Sequence, residues 1–325
     1  MKSDSTKTTI RRATATPSPE SASPRRAPDQ VRRQAPRQAR AATDARPIVK
    51  WAGGKTGLLH HLRRHVGERP IDRYVEPFAG GAALFFALAS SRPKPFSRAT
   101  LNDQNAELVA CYRAVRDDVE GLIVELRRYT YDRELFYRVR DVVTSGQTDV
   151  QRGGRLIFLN KTCFNGLWRV NSKGAFNVPF GTFANPRILD EKTLRAASRA
   201  LRRVTLKCGD FEEVTAELGQ GDFVYFDPPY VPASRTASFT AYARGGFSHE
   251  EQERLALVLA SLKSRGVRAM LSNADTPETR RLYKKFRVYI VEARRSINSD
   301  STKRGASREV IVTNWESRGL REGDP

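Results

Sequence analysis

The stretch that most restricts how this chain folds is an apolar run, Phe223, Val224, Tyr225 and Phe226, that stops on Asp227, Pro228, Pro229 and Tyr230. A short buried strand ending this way puts a carboxylate and a stiff turn at the rim of a sheet. The two prolines fix their own φ and bias Asp227 towards extended geometry, so the acid and the neighbouring carbonyls have little freedom. Neither proline has an N–H, so the turn offers acceptors only. It suits a substrate that brings donors, such as an exocyclic amino group, and Tyr230 adds a flat face for a planar ring. The plainer reading is an acidic strand end followed by a proline turn and a packing tyrosine.

Upstream, Tyr74, Val75, Glu76, Pro77, Phe78, Ala79, Gly80 and Gly81 form a strand running into a tight loop, ahead of an apolar helix over 84–88. Strand, glycine loop and helix make the nucleotide-binding half of a doubly wound α/β sheet. The spacing is not that of a nicotinamide dinucleotide fingerprint. A second strand near 99–101 ends at Asn102 and Asp103, about twenty residues past the glycines, where an acid closing on ribose hydroxyls belongs. The alternative for Asp103 is capping of the helix that follows. Ahead of both strands lie Lys50, Trp51, Ala52, Gly53, Gly54 and Lys55 and then a helical pattern of Leu58, Leu59, Leu62 and Val66. Paired glycines permit close backbone approach to a ligand, flanked by a flat indole and a cation suited to a carboxylate. Asp210 and Phe211, after a strand at 204–206, either bracket an adenine ring or start the next helix.

The segment 106–143 has helical periodicity, with Val115, Val119, Leu122, Ile123 and Leu126 on one face and many arginines opposite. It is too long for a βαβ crossover, so 112–200 reads as an inserted, mainly helical domain. Inside it, residues 164–181 place Asn, Ser, Lys and Gly between two aromatic-bearing runs, the pattern of a β-hairpin with an exposed tip. A two-stranded ribbon fits the major groove, where arginine takes guanine and asparagine takes adenine in paired hydrogen bonds. The resulting division is a basic disordered tail at 1–46, a catalytic domain in two parts at 47–111 and 201–318, the insert at 112–200, and a short tail at 319–325. After the proline turn, 231–246 reads as a mobile loop able to close over a bound base. The remainder alternates helix and strand: helices at 250–262 and 277–286, strands at 267–271, 287–291 and 310–312. Arg294, Arg295, Lys303 and Arg304 bracket a polar loop suited to phosphates.

Charge supports a polyanionic partner: 57 Lys and Arg stand against 36 Asp and Glu, a net charge of +21. Residues 1–46 hold eleven of those cations, four acids, five prolines and no aromatic residue. Such a tail cannot offset its ordering entropy by burial, and suits either a non-specific hold on DNA phosphates or no role beyond solvation. No apolar run approaches membrane-spanning length. Cys111, Cys163 and Cys208 are widely spaced, without a CxxC pair, and read as reduced thiols of a cytoplasmic protein. None follows a proline, which argues against attack on carbon 5 of cytosine. His61 and His65 have helical spacing but no acid or cysteine nearby, so no metal is expected.

The KWAGGK run at 50–55, the VEPFAGG run at 75–81, the FNGLWRVNSKGAFNVPFG run at 164–181 and DPPY at 227–230 together resemble the Dam-type, D12-class DNA adenine-N6 methyltransferases. The motifs fall in the family's order, over about residues 47–314. The resemblance implies a Rossmann-like, S-adenosylmethionine-dependent methyltransferase sheet with an inserted DNA-recognition domain, acting on double-stranded DNA, as a monomer without an obligate protein partner. It implies catalysis at Asp227, Pro228, Pro229 and Tyr230, and cofactor contacts from Trp51, Lys55, Phe78, Gly80, Asp103, Asp210, Phe211 and Asp227. DNA contacts fall to Lys50, Phe164, Asn165, Arg169, Asn171 and Pro179, with Arg169 reading guanine and GATC as the target. Two departures stand out. The second glycine of the family's Phe-x-Gly-x-Gly pattern falls at 82, where this chain has Ala82, and Thr182 stands where relatives often carry a basic residue. Competing readings are methylation of cytosine N4, RNA adenine or a glutamine amide, and a DNA-binding module without catalysis.

Overall fold

The structure, a computed structural model, describes residues 44–230, 247–294 and 306–316. The expected N-terminal tail, the loop over 231–246, the basic loop around 295–304 and the C-terminal tail lie wholly or almost wholly outside the described residues. Seven strands form one sheet: β1 (Ile71–Glu76), β2 (Phe96–Asn102), β3 (Val204–Lys207), β4 (Phe223–Phe226), β5 (Arg268–Ala274), β6 (Arg287–Arg294) and β7 (Ala306–Thr313). Their order is β3-β2-β1-β4-β5-β7-β6, with β1 to β5 mutually parallel and β7 antiparallel to both its neighbours. Strand order reverses between β1 and β4. Beyond the carboxyl ends of those two strands lies the crevice where open α/β sheets bind ligands.

All four residues of β4 are buried because helices cover both faces of the sheet. Phe223 and Tyr225 join a core with Tyr74, Leu101 and Met270, whereas Val224 and Phe226 join a second with Val75, Leu271 and Val312. This is the alternation of a pleated strand read on both sides. The first core is roofed by α1 (Leu59–Val66), α2 (Ala83–Ala89) and the five helices between β2 and β3: α3 (Ala106–Asp117), α4 (Val119–Leu126), α5 (Arg133–Arg140), α6 (Asp149–Thr162) and α7 (Glu191–Leu201). The second lies under α8 (Phe211–Thr215), α9 (His249–Ser264) and α10 (Pro277–Leu282). A contiguous apolar core thus runs from the sheet through the helices that follow β2, and 42–325 is one compact unit.

The helical pattern over 106–143 resolves into three helices. The Asp118 side chain accepts from the Gly121 N–H at 2.9 Å and starts α4, and Asp132 accepts from the Leu135 N–H at 2.7 Å and starts α5. Gly153 lets α6 lie against α3, since a Cβ there would stand 3.1 Å from the Ala114 methyl and 3.2 Å from the Cys111 Cα. Residues 164–181 form a narrow hairpin held by two isolated bridges, Cys163 with Phe180 and Val170 with Phe176, rather than a continuous ladder. Its root is fixed by the Gly181 N–H donating to the Thr162 carbonyl at 2.8 Å and the Tyr131 hydroxyl donating to the Gly181 carbonyl at 2.7 Å.

Two buried polar groups sit where this scaffold meets the crevice. Asn160, fully buried on α6, accepts from the Lys50 N–H at 2.9 Å and donates to the carbonyls of Lys50 and Gly166 at 2.7 and 2.9 Å. Glu76, at the end of β1, accepts from the Phe85 N–H at 2.9 Å and from the Tyr74 hydroxyl. Burial pushes its carboxyl up to about 8, against the pull of those two donors, so it is a neutral acid at pH 7.

Replacing Asn160 by Ala strands these backbone groups and should cost about 1–3 kcal/mol of stability, read as a lower urea midpoint at unchanged m-value. A carboxyl whose pKa is raised on folding loses stability as pH climbs from its ordinary 4.5 to about 8, because the folded state holds a proton that the unfolded chain has released. Glu76→Gln should flatten the stability–pH curve in that window, checked by thermal melts from pH 5 to 8.5.

Candidate active site

The rim of β4 carries the acid that the rest of the crevice serves. The Asp227 side chain is 21% exposed, and its Oδ1 stands 2.6 Å from the Nζ of Lys55, which is 5% exposed. The same oxygen accepts from the Ser272 hydroxyl at 2.9 Å, and the Tyr225 hydroxyl lies 2.9 Å from the Ser272 Oγ. Burial raises the Asp227 pKa, while the Lys55 charge and the Lys55 and Ser272 hydrogen bonds oppose the rise. Sequence reasoning gave Lys55 to a cofactor carboxylate; the structure points its ammonium at Asp227 and donates it also to the Gly53 carbonyl.

The turn after Asp227 is anchored on both sides. Pro228 is buried and Pro229 exposed, with the Pro229 carbonyl accepting from the buried Gln252 amide of α9 at 3.0 Å. Gln252 in turn accepts from Asn273 of β5 at 3.4 Å. Tyr230 puts its ring 4.6 Å below the Lys55 ammonium, and its hydroxyl donates to Glu309 of β7. Ser272, Asn273, Gln252 and Glu309 were not singled out by sequence, where polar residues within strands and helices carry no mark of the loop they reach.

On the β1 side, Gly80 has φ +46°, and a Cβ there would stand 2.8 Å from the Trp51 ring, so the indole lies directly on the loop. Trp51 stacks on Trp168, centroids 6.3 Å apart, which links KWAGGK to the hairpin. Ala82 occupies the family's second glycine position and takes the left-handed conformation, φ 51° and ψ 40°, that a glycine would adopt freely. Asp103 accepts from the Gly80 N–H through Oδ2 and the Asn105 N–H through Oδ1, both at 2.9 Å. Burial raises its pKa and those two donors oppose the rise. The cap of α3 is Asn105, so Asp103 is not spent on capping that helix. Asn102 ties the loops of three strands by donating to the carbonyls of Pro77 and Gly209, each at 2.9 Å.

Asp210 caps α8 and also accepts from Arg254 at 2.5 Å, and Phe211 is 1% exposed. Both therefore serve the fold directly. Aromatic surface at this end comes from the half-buried Phe78, 5.3 Å from Phe211, and from Phe247, which meets Phe78 edge-on at 5.5 Å and was not foreseen from sequence. An acid beyond β2, with aromatic rings beyond β1 and ahead of α9, is a set of groups that fits a nucleoside with a ribose diol and a purine.

The candidate nucleic-acid face lies across the crevice. Phe164 is 46% exposed, and its N–H donates to the Pro179 carbonyl at 2.9 Å. Asn165 has φ 55°, and Lys50 holds its ammonium 5.7 Å from the Phe183 ring. The exposed Arg169 donates to the Asn177 side chain at 2.8 Å. The Asn171 carboxamide closes the hairpin turn, accepting from the N–H groups of Lys173 and Ala175 at 3.0 Å each. Half-buried Lys161, also unforeseen, is depressed by burial and by the nearby Lys50 charge. Among the described residues no three of His, Cys, Asp and Glu are placed to share a metal ion, and no helix is long and apolar enough to cross a membrane. A cavity of about 700 Å³ lined by Lys263, Lys284, Lys285, Phe286 and Trp315 opens at the start of β6 and the end of β7, the opposite end of the sheet from Asp227.

The comparisons with known proteins agree with this geometry. The family model of the D12 class N6 adenine-specific DNA methyltransferases matches residues 51–297. The chain is 42% identical over 278 residues to the Type II methyltransferase M1.LlaDCHI of Lactococcus lactis subsp. cremoris, covering 83% of this chain and 95% of that protein. It is 40% identical over 290 residues to the Type II methyltransferase M.MjaIII of Methanocaldococcus jannaschii, covering 84% of this chain and 100% of that protein. With the DNA adenine methylase of Escherichia coli K12 it shares 33% over 271 residues, 82% of this chain and 94% of that protein. A match of this extent, on a sheet with an acid, two prolines and a tyrosine at its switch point, makes the chain a member of the D12 class of N6 adenine-specific DNA methyltransferases, enzymes that take their methyl group from S-adenosyl-L-methionine.

Proposed function

We propose that an adenine extruded from duplex DNA is gripped at the rim of β4, where Asp227 and the Pro228 carbonyl accept the two hydrogens of its exocyclic nitrogen and Tyr230 lies against its ring. The observation that carries this reading is the partly exposed Asp227 carboxylate, fixed between a buried lysine and a buried serine beside an aromatic face. Adenine's amino nitrogen is a poor nucleophile because its lone pair is delocalised into the ring. Two fixed acceptors draw the nitrogen towards a tetrahedral shape, and Asp227 stabilises the positive charge that develops there. S-adenosyl-L-methionine, when bound, supplies an electrophilic methyl group on a sulfonium centre.

Asp103 fits the ribose hydroxyls, and Phe78 with Phe247 the adenine edge of the cofactor. Trp51 and Gly80 shape the loop between cofactor and DNA, and Lys55 opposes the rise that burial gives the Asp227 pKa. The base is out of reach inside a duplex, so it leaves the stack at a cost of a few kcal/mol. Phe164 and Asn165 lie at the point of exit, Lys50 beside them. Arg169 reads guanine from the hairpin once its hydrogen bond to Asn177 is exchanged for a base edge. Asn171 shapes the tip, Pro179 anchors its root, and the target is GATC, as the Dam-type resemblance implies.

Asp227→Ala should lower methyl transfer from tritiated cofactor to an adenine-containing duplex by about 10²–10³-fold, the scale of losing one preorganised charge-stabilising contact. A rate near that of the wild type would remove Asp227 from the chemistry. Arg169→Ala should leave cofactor affinity intact while discrimination against a substituted guanine falls by about 1–3 kcal/mol, measured as the ratio of kcat/KM on GATC and single-substitution duplexes.

A further inference from the structure

Asp227 is held from behind by a run of hydroxyls that the assigned roles do not use. Tyr225 and Asp227 are two residues apart and so project to the same side of the sheet, and β5 pairs beside β4 with Phe226 opposite Leu271, which places Ser272 next to the acid. Ser272 is fully buried and Tyr225 is 3% exposed, so the arrangement is closed to water. Serine has one proton to give. It is spent on the Asp227 Oδ1 at 2.9 Å, so in the contact with Tyr225, also 2.9 Å, the tyrosine hydroxyl is the donor. The chain of donors runs Tyr225 to Ser272 to Asp227, and each link polarises the next.

Among the described residues, the ion pair and the hydrogen bond made to Asp227 both end on Oδ1. One carboxylate oxygen is thereby committed to the protein. We propose that Ser272, backed by Tyr225, is a positioning residue for methyl transfer: it pins Oδ1 together with Lys55 and so presents Oδ2 as the oxygen that meets the amino group. Lys55 alone fixes one point about which a carboxylate can still turn. A second donor on the same oxygen, from the neighbouring strand, fixes the plane of the carboxylate as well. The inference rests on the proposed role of Asp227 and extends it to a residue that touches no substrate.

The groups facing Asp227 define how the contact is read in solution. Lys55 comes from the loop before α1, Glu76 from β1, Tyr225 from β4 and Tyr230 from the proline turn, with Glu309 of β7 bonded to the Tyr230 hydroxyl. Burial raises the Asp227 pKa, and the Lys55 charge with the Lys55 and Ser272 hydrogen bonds opposes that rise. Removing the Ser272 donor therefore raises the Asp227 pKa and shifts the acid limb of the rate profile to higher pH. A serine that merely filled space would leave that limb where it is.

The test uses the full chain, tritiated S-adenosyl-L-methionine and plasmid DNA free of methyladenine. Ser272→Ala is expected to lower kcat about 10- to 100-fold with the KM for the cofactor within twofold of wild type, the scale of one hydrogen bond to a charged group. The acid limb of kcat against pH should move up, and Ser272→Thr should restore both rate and limb. Tyr225→Phe, which keeps the serine and removes only its supporting donor, should show the same changes in smaller measure and carries the test if Ser272→Ala does not fold. A wild-type kcat and pH profile in Ser272→Ala or, if that variant does not fold, in Tyr225→Phe, or a KM rise at unchanged kcat, would overturn the assignment. Asp227→Ala run alongside separates the two readings: if it is inactive while Ser272→Ala is unaffected, only the positioning role falls, and if it is active, the assignment of Asp227 falls with it.

Discussion

The ion pair between Lys55 and Asp227 is the contact on which the site depends. A lysine that is 5% exposed needs a counter-charge, and the acid supplies it 2.6 Å away. The pair joins the KWAGGK loop to the proline turn across the point where strand order reverses, so the crevice takes its shape only when the loop is docked. Docking is enforced from a third direction by Asn160, which holds both backbone polar groups of Lys50 from helix α6. Removing one member of such a pair leaves the other charge partly buried and unmatched, so these residues answer to folding as well as to chemistry.

Charge within the crevice is arranged by selective neutralisation. Three carboxyl groups, on Glu76, Asp103 and Asp227, stand at the ends of adjacent strands, and burial raises all three. Only Asp227 has a buried cation against it. Asp103 is held by two backbone N–H groups, and Glu76 is pushed up to about 8 and so adds no negative charge at neutral pH. The chain's net charge of +21 draws a polyanion towards it.

Much of the sheet was legible because its signals are local. The β4 run has no charged residue, and the strand, glycine loop and helix at 71–89 announce themselves within twenty residues. Break points inside the helical stretch were visible too, in Asp118 and Asp132, but a periodicity count passes over caps. The illegible part is what depends on register between distant elements. Ser272 reaches Asp227, Glu309 reaches Tyr230 and Gln252 reaches Pro229 only because β5, β7 and α9 fall where they do. The in-chain partners of individual polar residues were also out of reach: the Asn171 carboxamide closes its own turn, Asp210 caps α8 and Lys55 meets Asp227.

The hairpin over 164–181 grows from α6 without an intervening linker, and its root is bonded to Thr162 and Tyr131 of the helical layer whose core is continuous with the sheet. On the proposed reading, the arm that inspects the duplex and the rim that modifies it are joined through one continuous packed core. The offset between the recognised guanine and the methylated adenine then becomes a fixed dimension of the molecule, like the distance between the jaws of a gauge. Exchanging side chains on the arm changes which letters are accepted, but the position of the mark within the word stays where the scaffold sets it.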